Sequence, residues 1–150
     1  MQPLNLPTYK FRIKSNENKL FIFDILRKKY VSLTPEEWVR QHIIHFLIEE
    51  KNYPISLMAV EKKLTINTLT KRTDILVFNT NGSPHIIVEC KAPTAKITQD
   101  AFDQIARYNL KLEANYLIVS NGLEHFNCKM DLENEQYIFL PDIPKYSKNE

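Results

Sequence analysis

The chain has 150 residues, of which 43% are apolar and 25% charged, with a net charge of +2. This length predicts one domain over 1–150 with a core of its own, and the near-neutral balance confines any nucleic-acid affinity to a local patch. With two glycines and neither GxxxxGK[ST] nor GxGxxG, the sequence offers no readable ATP or dinucleotide loop.

Short extended segments are predicted over residues 9–13 and 20–26, with Ser15-Asn16-Glu17-Asn18 turning between them. Thr34-Pro35-Glu36-Glu37 predicts a helix start: Thr at the cap, Pro at the first helical position and Glu three residues after the cap. Trp38, Val39, Ile43, Phe46 and Leu47 keep helical spacing to about Lys51, and Tyr53-Pro54 breaks the helix. Residues 57–66 read as one extended segment holding Glu61. Two arms rich in β-branched and aromatic residues follow, 72–78 and 85–91, joined through Asn81-Gly82, a strong hairpin signal. Ala92-Pro93 stops the second arm. A second helix is predicted from the cap Thr98 to about Glu113, with Phe102, Ile105, Ala106, Leu110 and Leu112 at a roughly helical period. Short strands over 116–119, 126–130 and 136–140 close the chain, and residues 146–150 are expected to fray. Sequential antiparallel strands followed by a helical crossover predict an α/β fold, a mixed sheet flanked by helices.

Cys90 and Cys128 lack CxxC spacing, which argues against zinc and against a disulfide framework and fits reduced thiols in the cytosol. Residues 1–7 lack the basic start and apolar core of a signal peptide. No apolar run approaches the ~20 residues of a membrane span.

The chemistry concentrates in the 72–91 hairpin. If Asn81 and Gly82 are the two central turn residues, Thr80 faces Ser83 and, counting outward, Asp74 faces Glu89. Alternation puts Lys91 on the face of Glu89 and turns Cys90 away into packing. Asp74 and Lys91 lie in strongly apolar segments, where charge is costly unless it is paired or binds a metal. Two carboxylates suit magnesium or manganese, which leave the rest of their shell to water and phosphate. An ammonium beside them can orient water or stabilise charge on a phosphate. The same spacing also fits an ion-pair cluster without catalysis. Glu61 either extends the acidic site or is a solvated strand residue. Lys62-Lys63 and Lys71-Arg72 form either a phosphate-binding rim or ordinary solvated surface. His42 and His45 are three apart, which does not suit a helical zinc pair.

Asp74, a gap of fourteen residues, then Glu89-Cys90-Lys91 resembles the PD-(D/E)xK nuclease superfamily. More narrowly, Arg72-Thr73-Asp74, residues 88–93 (VECKAP) and 104–108 (QIARY), residues 34–41 (TPEEWVRQ) and Ser120-Asn121-Gly122 resemble the N-terminal domain of the restriction subunit of type I restriction enzymes. The resemblance covers about residues 34–130. It implies a restriction-endonuclease-like fold and Mg²⁺- or Mn²⁺-dependent endonuclease action on DNA. Asp74 and Glu89 are the implied metal ligands, Lys91 the catalytic lysine, and Gln104 and Tyr108 match the superfamily's QxxxY motif. Glu37 either completes the metal site, as a helix glutamate does in some relatives, or serves only its capping box. Thr73 stands where the motif's name has proline. Type I restriction subunits continue into an ATP-driven motor that these residues do not contain, so translocation is not implied. Implied partners are DNA and other restriction–modification subunits, with a homo-oligomer left open and no membrane. The rival expectation is a catalytically silent DNA- or partner-binding module of such a system.

Overall fold

The computed structural model describes residues 1–148, so 149 and 150 of the expected tail lie outside the described residues. Strands β1 (Ile13–Asn16), β2 (Lys19–Asp24) and β3 (Lys29–Ser32) form an antiparallel meander. Glu17 and Asn18, at φ 50° and 64°, make the two-residue turn between β1 and β2, whose left-handed backbone matches the strand twist. That turn pairs Asn16 with Lys19 and Ile13 with Ile22. The first strand therefore runs over 13–16, not the 9–13 expected. Strand β3 was not foreseen, because its turn carries no glycine: the Asp24 carboxylate closes it by accepting the N–H groups of Leu26 and Arg27 at 2.7 and 2.9 Å.

Helix α1 (Pro35–Glu49) starts as expected, with the Thr34 hydroxyl accepting the Glu37 N–H at 3.1 Å. Only this half of the capping box forms. The Thr34 N–H donates to Ser32 O, and the Glu37 carboxylate turns to Arg27 and Gln41. Strands β4 (Met58–Val60), β5 (Lys63–Ile66), β6 (Leu69–Arg72), β7 (Ile75–Phe78) and β8 (Pro84–Cys90) follow, then α2 (Gln99–Leu110), β9 (Tyr116–Ser120), β10 (His125–Asp131) and β11 (Gln136–Leu140). The large sheet has the order β11-β10-β9-β8-β7-β4. Only β8 and β9 pair in parallel within it, and α2 is their crossover. The mixed α/β sheet with helices on it thus agrees with the sequence.

The extended segment expected over 57–66 is broken at Glu61, which takes φ 53°. Val60 pairs with Ile75 and Lys63 with Arg72, a single register, so β4–β5 and β6–β7 are two halves of one long hairpin. At the break the Glu61 N–H donates to Asp74 O at 3.1 Å. The Thr73 N–H and hydroxyl both donate to Lys62 O at 2.9 Å. The outer half, β5–β6, leaves the large sheet as a separate ladder.

The turn between β7 and β8 also differs from expectation. Asn79 N–H bonds Ser83 O and Gly82 N–H bonds Asn79 O, giving a three-residue loop, Thr80 to Gly82, with Gly82 at φ 89°. A register shift between Val77 and Phe78 absorbs the extra residue. Ile75 therefore still pairs with Val88, and Asp74 is next in line opposite Glu89.

The two sheet faces bury separate cores. Ile75, Val77, Ile86, Val88 and Ile118 pack under Val39, Ile43 and Leu47 of α1. Leu76, Ile87, Leu117 and Val119 pack under Phe102 and Ala106 of α2. All seven residues of β8 are buried. The frayed tail expected from Tyr146 onward is corrected there: Tyr146 N–H donates to Lys51 O at 2.8 Å and its ring lies 5.8 Å from that of Tyr53. Buried Ile143 anchors this stretch in the α1-side core. Among the described residues no helix is long and apolar enough to cross a membrane.

Candidate active site

The start of β7 lies beside the end of β8, and the site lies there. Asp74 sits one residue before β7, while Glu89 and Lys91 straddle the last residue of β8. The backbone N–H of Cys90 donates to Asp74 Oδ2 at 2.7 Å, and Arg40 of α1 reaches Asp74 Oδ1 at 3.5 Å. Glu89 is met from the other side: Lys71 Nζ contacts its Oε1, and Asn109 Nδ2 of α2 lies 3.5 Å from the same oxygen. Lys91 is held through its N–H, which donates to Ser120 O of β9 at 2.8 Å. Burial pushes the Lys71 ammonium down, to about 8; the charge of Asp74 opposes this and that of Lys91 adds to it. Asp74, Glu89, Lys91 and Lys71 therefore share one electrostatic neighbourhood.

Cys90 points away from it, buried in the α1-side core, where burial raises its thiol well above the usual range. Tyr108 is brought in: its phenol donates to Thr70 O at 3.2 Å and its ring lies 5.3 Å from Lys71 Nζ. Gln104, one turn earlier on α2, is exposed. Glu61 and Glu37 belong to a neighbouring ion-pair network. Glu61 lies 3.3 Å from Arg40 and 3.5 Å from Arg27. Glu37 lies 2.9 Å from Arg27 and 3.6 Å from Arg40. Asp24 closes that network through Arg27 at 2.6 Å and Gln41 at 3.1 Å. Among the described residues no three His, Cys, Asp or Glu side chains gather as a metal-binding group.

The donor set still suits a hard cation. Asp74 and Glu89 present only oxygens, and magnesium takes one or two carboxylates with water and phosphate completing its shell. Lys71 Nζ already lies against Glu89, so a cation of the chain itself is the present neighbour of that carboxylate. Asn109 Oδ1 is buried and without a hydrogen-bond partner, on the amide whose Nδ2 lies 3.5 Å from Glu89.

Three residues here escaped sequence reasoning. Arg40 lies on the apolar face of α1 with Ile43, Ile44 and Leu47, a placement that already requires a charge partner. Asn109 is a buried amide on α2, one residue past Tyr108. Lys71 was legible as half of a Lys-Arg pair, on a phosphate-binding rim or on solvated surface, and not as a neighbour of Glu89. Alternation along Leu69-Thr70-Lys71-Arg72 puts it on the inner face with Leu69.

No curated protein matches the chain. Residues 35–144 match the family described as type I restriction enzyme R protein N terminus, spanning both helices, the Asp74–Glu89–Lys91 hairpin and the strands that follow, and the chain belongs to that family.

Proposed function

We propose that this chain is a metal-dependent DNA endonuclease domain of a restriction–modification system, with a restriction-endonuclease-like fold. The observation that supports the proposal is the β7–β8 register, whose last pair, Ile75 with Val88, brings Asp74 in line with Glu89, two residues before Lys91, in a chain of the type I restriction family. Asp74 and Glu89 would hold Mg²⁺ or Mn²⁺. When bound, such an ion polarises the phosphoryl oxygen and lowers the pKa of its water.

The chain's own residues supply the rest. The Cys90 N–H and the Arg40 guanidinium fix the two oxygens of Asp74. Lys91, anchored at its backbone to β9, presents an ammonium to the attacking water and to the charge that builds on the phosphate. Tyr108 ties α2 to β6 and so keeps the hairpin seated over the site.

The test is nicking of supercoiled DNA at low salt with Mg²⁺ or Mn²⁺ and without ATP. Wild type should nick, Lys91→Ala should not while still binding metal, and Asp74→Ala should lose both. DNA binding by wild type with no nicking above the Lys91→Ala background refutes the enzyme. One observation favours that silent-module alternative: at rest both carboxylates already have cationic partners, Arg40 and Lys71.

A further inference from the structure

The β5–β6 hairpin has two faces of opposite character. Its register pairs Leu64 with Lys71 and Ile66 with Leu69 on one face, and Lys63 with Arg72 and Thr65 with Thr70 on the other. The outer face is exposed throughout. On the inner face Leu64, Ile66 and Leu69 pack into the α2-side core beside Ile105 and Tyr108. Lys71 is the one charged residue of that inner face. The backbone that delivers it is pinned on both sides, by the hydrogen bond of Tyr108 to Thr70 O and by the two hydrogen bonds of Thr73 to Lys62 O.

Packing thus drives an ammonium inward at the one place where the sheet end offers a buried carboxylate. Lys71 meets Glu89 there, 22% exposed against 10%, with Tyr108 beneath the cation. An ammonium seated against Glu89 and a divalent cation bound there repel each other, so each weakens the other's hold on that carboxylate. A long, flexible stem lets the ammonium leave without unfolding the strand that carries it.

We infer that Lys71 is the resident counter-cation of the acidic site, and that Lys71 and a divalent metal ion are alternative occupants of Glu89. This rests on the proposed metal site and adds a competitor to it. Metal loading requires the Lys71 ammonium to leave Glu89, and a DNA phosphate arriving with the metal offers that ammonium its next anion. Lys71 acts here as a positioning residue: it fills and orients the acidic site at rest and sets how tightly metal binds.

The experiment is calorimetric titration of Mn²⁺ alone into the whole chain. Lys71→Met extends the apolar inner face of the hairpin, so the variant keeps its packing. Its Kd for Mn²⁺ should fall about fivefold, roughly 1 kcal/mol at RT of about 0.59 kcal/mol. Lys63→Met removes the same charge from the outer face of the same hairpin and should leave Kd unchanged. Glu89→Gln combined with Lys71→Met should lose the gain. Equal Kd in wild type and Lys71→Met, with binding still dependent on Glu89, overturns the competition and leaves the metal site standing. Equal tightening by Lys63→Met overturns it too, because the effect is then long-range charge. No Mn²⁺ binding in any variant overturns both the competition and the proposed function.

Discussion

Arg40→Met probes the cation that joins α1 to the candidate site. Arg40 is 6% exposed, and its guanidinium lies 3.6 Å from Glu37, 3.3 Å from Glu61 and 3.5 Å from Asp74. Removing one partner of a buried ion pair costs about 3–5 kcal/mol, because the other charge stays behind. Three observations reduce that figure. The contacts are longer than the ~2.7–2.9 Å of strong charge-assisted bonds. Glu61 and Asp74 are 41% and 30% exposed, so water screens them. Arg40 Nε and Nη1 have no hydrogen-bond partner, and removing an unsatisfied buried donor returns ~1–3 kcal/mol.

The balance is a net loss of about 1–2 kcal/mol, since Arg27 still serves Glu37 and Glu61 while Asp74 loses its guanidinium. At ~2–4 °C per kcal/mol for a domain of this size, the melting temperature falls by about 2–8 °C. Circular dichroism melts in EDTA at low salt measure it. Adding Glu37→Gln should recover part of the loss, with a coupling of at least ~0.5 kcal/mol. A variant that melts at or above wild type refutes the reasoning, because the unsatisfied donors would then outweigh the three ion pairs.

Millimolar Mn²⁺ should raise the melting temperature of wild type but not of Asp74→Ala, since a ligand that binds only the folded site stabilises it by mass action; equal shifts count against the site. Gly122→Ala should destabilise by ~1–3 kcal/mol in a denaturant titration, because Gly122 sits at φ 87° and an added Cβ meets Leu4 at 2.8 Å and Val39 at 3.1 Å; wild-type stability would show that Leu4 yields. Stability should fall with acid in two windows. Burial holds His42 below its ordinary 6.5, so its contribution is present above pH 6.5 and is lost as pH drops through its folded value. Burial raises Asp24, but hydrogen bonds from Arg27 and Leu26 outweigh it and leave the carboxyl below 3.8, so its contribution is lost only as pH falls below that. Urea midpoints from pH 8 to 3 check both, His42→Gln should flatten the first window, and a wild-type midpoint that rises from pH 7 to 5 contradicts the sign.

The parts of the fold legible in the sequence are those with local causes. Thr34-Pro35 and Thr98 carry their helix starts in a few residues, and both hydroxyls accept the N–H three positions on. The crossover between β8 and β9 follows from strand–helix–strand order. The breaks were harder. Nothing local to residues 57–66 shows that Glu61 takes a left-handed backbone; pairing with residues 72–75 imposes it. The Asn81-Gly82 signal pointed to the correct hairpin through an incorrect turn. The chain uses a three-residue loop and spends one residue on a bulge at His85, whose ring bonds Asn115 at 3.0 Å. Loop and bulge shift the register in opposite senses, so Asp74 still comes to face Glu89.

The acids of the site were legible because their spacing on two adjacent strands is a local property. Their partners were not, because each comes from elsewhere in the chain: Arg40 from α1, Lys71 from the outer hairpin, Asn109 from α2. The division of labour among the cations follows from their chemistry. Arg27 and Arg40 are rigid forks, and each is shared among three carboxylates: Arg27 among Asp24, Glu37 and Glu61, Arg40 among Glu37, Glu61 and Asp74. Moving either would expose several charges at once. Lys71 contacts one carboxylate, that of Glu89, on a flexible stem, so its departure leaves one contacting charge without its partner. In the competition proposed above, a divalent cation would therefore enter at Glu89, on the lysine side, and leave the arginine network in place.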